Sequence, residues 1–190
     1  MNLRTRHGIL TWRPTATFYH GALLARSETS PLNGIRIMEV AVEQFLEIGQ
    51  RSRLPYCLGI LSLSLARAGQ SRQAALRAFQ AIDLAYKQNE QWCLPELLRI
   101  QAATTREGDA DARDELLRQS IEKSDLIGAM SWKLRSSLDL GSVLKQQGHF
   151  QEARRTVEIA LAGIKDRFAT ADITSALDIL GTLERPRSVI

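Results

Sequence analysis

Apolar positions recur at helical spacing over almost the whole length of this chain. Between Arg13 and Leu183, long stretches are built from Ala, Leu, Arg, Gln and Glu, all good helix formers, with apolar residues at i, i+3, i+4 and i+7. The segment from Leu138 to Ala160, "LDLGSVLKQQGHFQEARRTVEIA", carries the pattern most clearly. Small residues at Gly141, Ala153 and Ala160 and larger ones at Leu144 and Val157 put one stripe on each of two helices. Gly148 lies between them and supplies the left-handed C-cap that turns the chain.

The same unit recurs upstream at steps of about forty residues, a period typical of stacked helical hairpins. Gly148 is preceded by Gly108 and Gly69; Gly141 by Gln101, Ser62 and Gly21; Leu144 by Thr104, Leu65 and Leu24. After each turn, Ala153 and Ala160 correspond to Ala74 and Ala81, to Ala112, and to Gly34 and Ala41, with Val157, Ala78, Leu116 and Met38 between. Small side chains there let two antiparallel helices approach closely. One hairpin cannot cover its own apolar faces, whereas stacked copies can.

The pattern therefore predicts an all-α fold of four helix pairs and a ninth helix. The pairs are Arg13–Ser27 with Leu32–Ile48, Leu54–Ala68 with Ser71–Gln88, Cys93–Glu107 with Ala110–Leu126, and Ser131–Gln147 with Phe150–Phe168. The last helix is Ala171–Leu183. Pro14, Pro31, Pro55 and Pro95 mark helix starts, Ser71 is the expected N-cap of its helix, and Asp172 suits the dipole of the last one. Residues 11–184 are read as one repeat domain, flanked by mobile segments at 1–10 and 185–190 that lack periodicity.

These positions resemble the tetratricopeptide repeat, best in Leu140, Gly141, Leu144, Gly148, Ala153 and Ala160. Ser137 stands where that pattern has a tryptophan, and the period exceeds the usual length. The resemblance implies a right-handed superhelix of antiparallel helix pairs, a TPR-like α-solenoid. A narrower resemblance rests on "NEQWCLPELLRI" (Glu90, Trp92, Glu96, Leu97, Arg99), "GAMSWKLR" (Ser131, Trp132, Leu134, Arg135) and Phe168, Thr170 and Asp172. It is to the C-terminal helical-repeat region of large bacterial proteins that join a winged-helix or nucleotide-cyclase front end to an ATPase module. Lys133 and Asp166-Arg167 depart from that pattern. The chain has no phosphate loop of the GxxxxGK[ST] type, so the resemblance implies a stand-alone or truncated regulatory module without ATPase, cyclase or DNA-binding activity.

Composition narrows the classes further. The net charge of +4 is modest, and much of it sits at Arg4, Arg6, Arg13 and Arg26, ahead of the first acid, Glu28. A concentrated basic stripe with interleaved aromatics is missing, so this chain alone is not expected to bind nucleic acid. No apolar run reaches the ~18 residues of a membrane span, and the start lacks the apolar core of a secretory signal. Cys57 and Cys93 lie far apart in apolar helical contexts, which reads as buried free thiols in a reducing, cytoplasmic setting. His7, His20 and His149 have no metal-ligand spacing; His20 is placed on the packing face of the first helix and His149 in a solvated turn. Asp109, Asp111, Asp114 and Glu115 cluster at a helix start, where dipole complementarity explains them. No catalytic constellation is found, so the reading is non-enzymatic, without cofactor or metal.

What remains is a binding surface. Trp92 and Trp132 each open a first helix and are followed by Arg99 and Arg135; they read either as an aromatic-plus-Arg partner surface or as wedges between hairpins, with Glu96 pairing Arg99. Arg26, Arg67 and Arg106 occupy one register near the end of three first helices, with Lys145 and Gln146 in the fourth. In tetratricopeptide arrays the first helices line the concave groove. The Arg series then reads either as a grip for an acidic peptide or as cations at helix C-termini. The family's clamp for a terminal carboxylate is absent, since Gly59, Leu63, Leu98 and Ala102 stand at its places. The expected partner is a protein or peptide segment, acidic in character; the alternative is a small ligand sensed within the superhelix.

Overall fold

The structure, a computed structural model, describes residues 12–184 apart from 28, 107 and 166–169. Among the described residues there are nine α-helices and one short 3-10 turn, and no strand. The chain divides into two compact units with the boundary between Cys93 and Leu94.

The first unit contains α1 (Trp12–Leu24), α2 (Pro31–Glu47), α3 (Leu54–Arg67), α4 (Ser71–Lys87) and the 3-10 turn Gln91–Cys93. Helices α1 and α2 form one hairpin and α3 and α4 the next; α3 also packs on α2 and on α1. The first hairpin crosses at two glycines. A methyl group at Gly21 would sit 2.8 Å from the Gly34 carbonyl oxygen, and one at Gly34 would sit 2.6 Å from that of Gly21. Phe18, Met38, Ala41 and Phe45 are buried around this crossing. In the second hairpin the position of Gly21 is taken by Ser62, whose buried hydroxyl donates to the Ala74 carbonyl at 2.7 Å. The sequence register thus marks a close backbone approach, solved once by glycine and once by a hydrogen bond.

The second unit contains α5 (Leu94–Thr104), α6 (Ala110–Leu126), α7 (Met130–Gln146), α8 (Phe150–Ala162) and α9 (Ala171–Glu184). Consecutive helices pack together, and α5 and α9 each also contact α7. One core cluster joins Ala102, Leu117, Leu140, Val143, Leu144 and Ala153. Another joins Leu134, Leu138, Val157, Ala160, Ile173 and Ala176. Helix α7 supplies both, so its apolar residues point to two neighbours. The within-hairpin turns pass through Gly69, Gly108 and Gly148 at φ of 76°, 102° and 86°, the left-handed region that the repeat pattern assigned to them.

Several boundaries differ from the sequence expectation. Helix α8 stops at Ala162 rather than Phe168, because the chain turns at Gly163 and Ile164 folds back against the core of α7–α9. Phe168, Asp166 and Arg167 lie outside the described residues, as do His7 and the segments 1–10 and 185–190. Helix α5 begins at Leu94 after the 3-10 turn and ends at Thr104, where the hydroxyls of Thr104 and Thr105 both donate to the Gln101 carbonyl at 3.0 Å. Ser71 is the first residue of α4 and not its N-cap; the cap is Gln70, and no side chain caps that end. His20 is exposed rather than on the packing face of α1, which is made by Phe18 and Gly21. No helix among the described residues is long and apolar enough to cross a membrane.

Candidate functional site

Helices α1 and α3 both carry apolar side chains that their hairpins do not bury. Tyr19, Ala22 and Leu23 of α1 face Ile60, Leu63 and Ser64 of α3 across a groove of about 310 Å³. Arg26 and Arg67 stand at the ends of the two helices and close it. The same two guanidinium groups border a recess of about 400 Å³ lined by Ala25, Ser27, Pro31 and Ala68. No carboxylate lines either space among the described residues. Burial is the main cause that raises the Tyr19 phenol above its ordinary value, so it stays neutral and able to donate at pH 7.

The Arg series is only partly brought together. Arg26 and Arg67 share the groove. Arg106 is exposed beyond the end of α5. Lys145 is tied to α9 through its Nζ, which donates to Thr182 Oγ1 at 2.9 Å, and Gln146 is exposed at the end of α7. Of the groove positions read from the sequence, Leu63 lines the wall, whereas Gly59, Leu98 and Ala102 are buried. Ile60 takes the place expected of Gly59, one residue further round α3.

Trp92 and Arg135 make contacts within their own units. Trp92 lies in the 3-10 turn, its ring 5.4 Å from that of Tyr56, and its Nε1 donates to Glu90 Oε2 at 3.4 Å. The Glu90 carboxylate also accepts the Arg53 backbone N–H at 3.0 and 3.1 Å, capping the start of α3 from 37 residues away. Trp132 is half-buried in the first turn of α7. Arg135 donates from Nε to Asp172 Oδ2 at 2.7 Å, joining α7 to α9.

That last bond belongs to a series the sequence reading missed. Arg99 of α5 makes the pairing with Glu96 that its spacing predicts, at 2.8 and 2.9 Å, and also reaches Asp139 of α7 at 2.8 Å, which the spacing did not indicate. Arg118 of α6 reaches Glu152 of α8 at 2.7 Å and also pairs with Asp114. Arg99–Asp139, Arg135–Asp172 and Arg118–Glu152, separated by 40, 37 and 34 residues, each join a helix to the next but one. Opposite charges 34 to 40 residues apart on alternate helices were the signal. The carboxylates keep the Arg99 guanidinium firmly protonated against the burial that disfavours its charge.

Other polar groups explain themselves locally. Asp109 caps α6, its Oδ1 accepting the Ala112 N–H at 3.3 Å. His149 is exposed and 4.0 Å from Glu152. Burial pushes the Cys57 and Cys93 thiols from 9.0 up to about 12, so neither is a thiolate at neutral pH. Among the described residues no three His, Cys, Asp or Glu side chains converge to hold a metal ion. No protein-family model matches the chain, and no curated protein matches it significantly.

Proposed function

We propose that this chain is a non-enzymatic, tetratricopeptide-like interaction module that holds an acidic amphipathic helix in the groove between α1 and α3. The observation that carries the reading is an apolar groove between α1 and α3 with Arg26 and Arg67 at its end. Apolar residues of a partner helix would cover Tyr19, Leu23, Ile60 and Leu63, and its acids would meet the two guanidinium groups. The stacking of α3 on α1, and of α7 on α5 and α9, supports a repeat array of this kind. A regulatory role within a bacterial ATPase-type signalling or transcription system is suggested by the motif resemblance and a cytoplasmic setting by the free thiols, and both are part of the same proposal.

The test is a fluorescence-anisotropy titration with a labelled amphipathic peptide of about four helical turns, Leu on one face and Glu beside it. Wild type should bind it and reject a Lys-for-Glu counterpart. Arg26→Glu with Arg67→Glu should weaken binding by about 30-fold, roughly 1 kcal/mol for each reversed exposed charge. Equal binding by wild type and the double variant would end the reading. A thermal shift with a nucleotide or metabolite, lost on filling the groove by Leu63→Trp, would favour small-ligand sensing instead.

A further inference from the structure

Helix α4 turns its buried Ala74, Ala78, Ala81 and Ala85 towards the hairpin and carries an apolar stripe on the opposite side. Leu76, Phe79 and Tyr86 are 55%, 62% and 53% exposed, high for such side chains on a helix whose core face is already covered by small residues. With Arg72 and Asp83 they form the series 72, 76, 79, 83, 86, whose steps alternate between four and three. This is the heptad seam of a two-helix contact, with Leu76 and Asp83 at one seam position and Arg72, Phe79 and Tyr86 at the other.

The seam is complementary to itself when reversed. In an antiparallel pair the two seam positions face each other across the contact. The register that puts Leu76 against Phe79 of a second copy also puts Arg72 against Asp83, because both pairs share one midpoint. Two apolar layers at the centre are then flanked by two opposite-charge layers, and the two-fold axis makes both halves identical. A parallel pairing would set Arg72 on Arg72 and Asp83 on Asp83, so charge selects the antiparallel arrangement. Asp83 now accepts from Lys87 on its own helix at 2.8 Å, an exposed pair of the kind that contributes little and yields readily.

From this we propose that a second copy of the chain docks on α4, antiparallel and centred between Leu76 and Phe79. One helix face is smaller than a standard interface, so association falls in the range of about 1 µM to about 1 mM. Sedimentation velocity across that range should show a monomer–dimer equilibrium for wild type. Phe79→Glu, at an exposed position, should give monomer throughout. Arg72→Asp alone should weaken the dimer at least tenfold, and Arg72→Asp with Asp83→Arg should restore it. Mixing Leu76→Cys and Phe79→Cys proteins under mild oxidation should give the cross-linked heterodimer in preference to either homodimer. Wild type that stays monomeric at every concentration, or a dimer that survives Phe79→Glu, overturns the proposal; so does a swap that fails to restore association.

Discussion

A methyl group added at Gly34 would come within 2.6 Å of the Gly21 carbonyl oxygen and would also meet the backbone of Ala25. Backbone atoms in a helix crossing cannot give way as a side-chain end can. Gly34→Ala should therefore destabilise the fold by about 2 kcal/mol, the scale of overpacking, despite the better helix propensity of alanine. Gly181 is the control: it lies in α9 with nothing within 4 Å of an added methyl, so Gly181→Ala should stabilise by about 0.5 kcal/mol. Urea midpoints of the two variants against wild type check both signs. The thiols give a second prediction at this scale. Cys57 and Cys93 ionise near 9.0 when the chain is unfolded and near 12 when it is folded. Between those values the unfolded chain has lost protons that the folded chain keeps. Their contribution is thus complete below pH 9 and is lost as pH rises towards 12. Replacing both with alanine should flatten the fall of the urea midpoint across that window, and in wild type alkylation near pH 8 should follow unfolding rather than precede it.

Between helices the polar bonds differ sharply in what they contribute. Arg99 and Glu96 are only 13% and 8% exposed, and Asp139 completes the set. Truncating Arg99 would leave a buried carboxylate without its partner, so Arg99→Ala should cost about 3 kcal/mol. Arg118 and Glu152, at 46% and 47% exposure, repeat the same geometry in water, and Arg118→Ala should cost at most about 1 kcal/mol. Differential scanning calorimetry separates the two, and added salt should shrink only the second difference. Helices themselves were legible because their apolar period is local. All nine helices of the described residues appear where the pattern put them, α2, α3, α4, α6, α7 and α9 within a residue at each end. Two of the ends that moved, those of α5 and α8, were set by atoms the period does not see: the threonine hydroxyls on Gln101 and the turn at Gly163. The roles of Trp92 and Arg135 were open in the sequence because Glu90–Arg53 and Arg135–Asp172 join residues 37 apart. Only the packing of one hairpin on the next decides such partners.

At the scale of the whole chain the net charge of +4 is too small to draw partners by itself, so specificity must come from where the charges sit. Register alone made Arg26, Arg67, Arg106 and Gln146 equivalent, with Lys145 beside the last. Packing separates them: two arginines share the α1–α3 groove, while Lys145 is held by Thr182 because α9 packs on α7. An acidic helix in that groove would be held by two kinds of force with different salt responses. Raising the salt from about 0.05 M to about 0.5 M shortens the screening length to a few ångströms and removes most of the attraction of exposed guanidinium groups. The covering of Leu23, Ile60 and Leu63 is not screened. Affinity for the acidic peptide should therefore fall by about tenfold and then level off, most of the loss lying in the association rate. The Arg26→Glu, Arg67→Glu protein should bind more weakly at low salt and improve slightly as salt rises, since like charges are then screened. Stopped-flow anisotropy at four salt concentrations reads both behaviours. A wild-type affinity that keeps falling with salt to nothing would mean that the apolar walls take no part, and the groove would lose its claim to be the site.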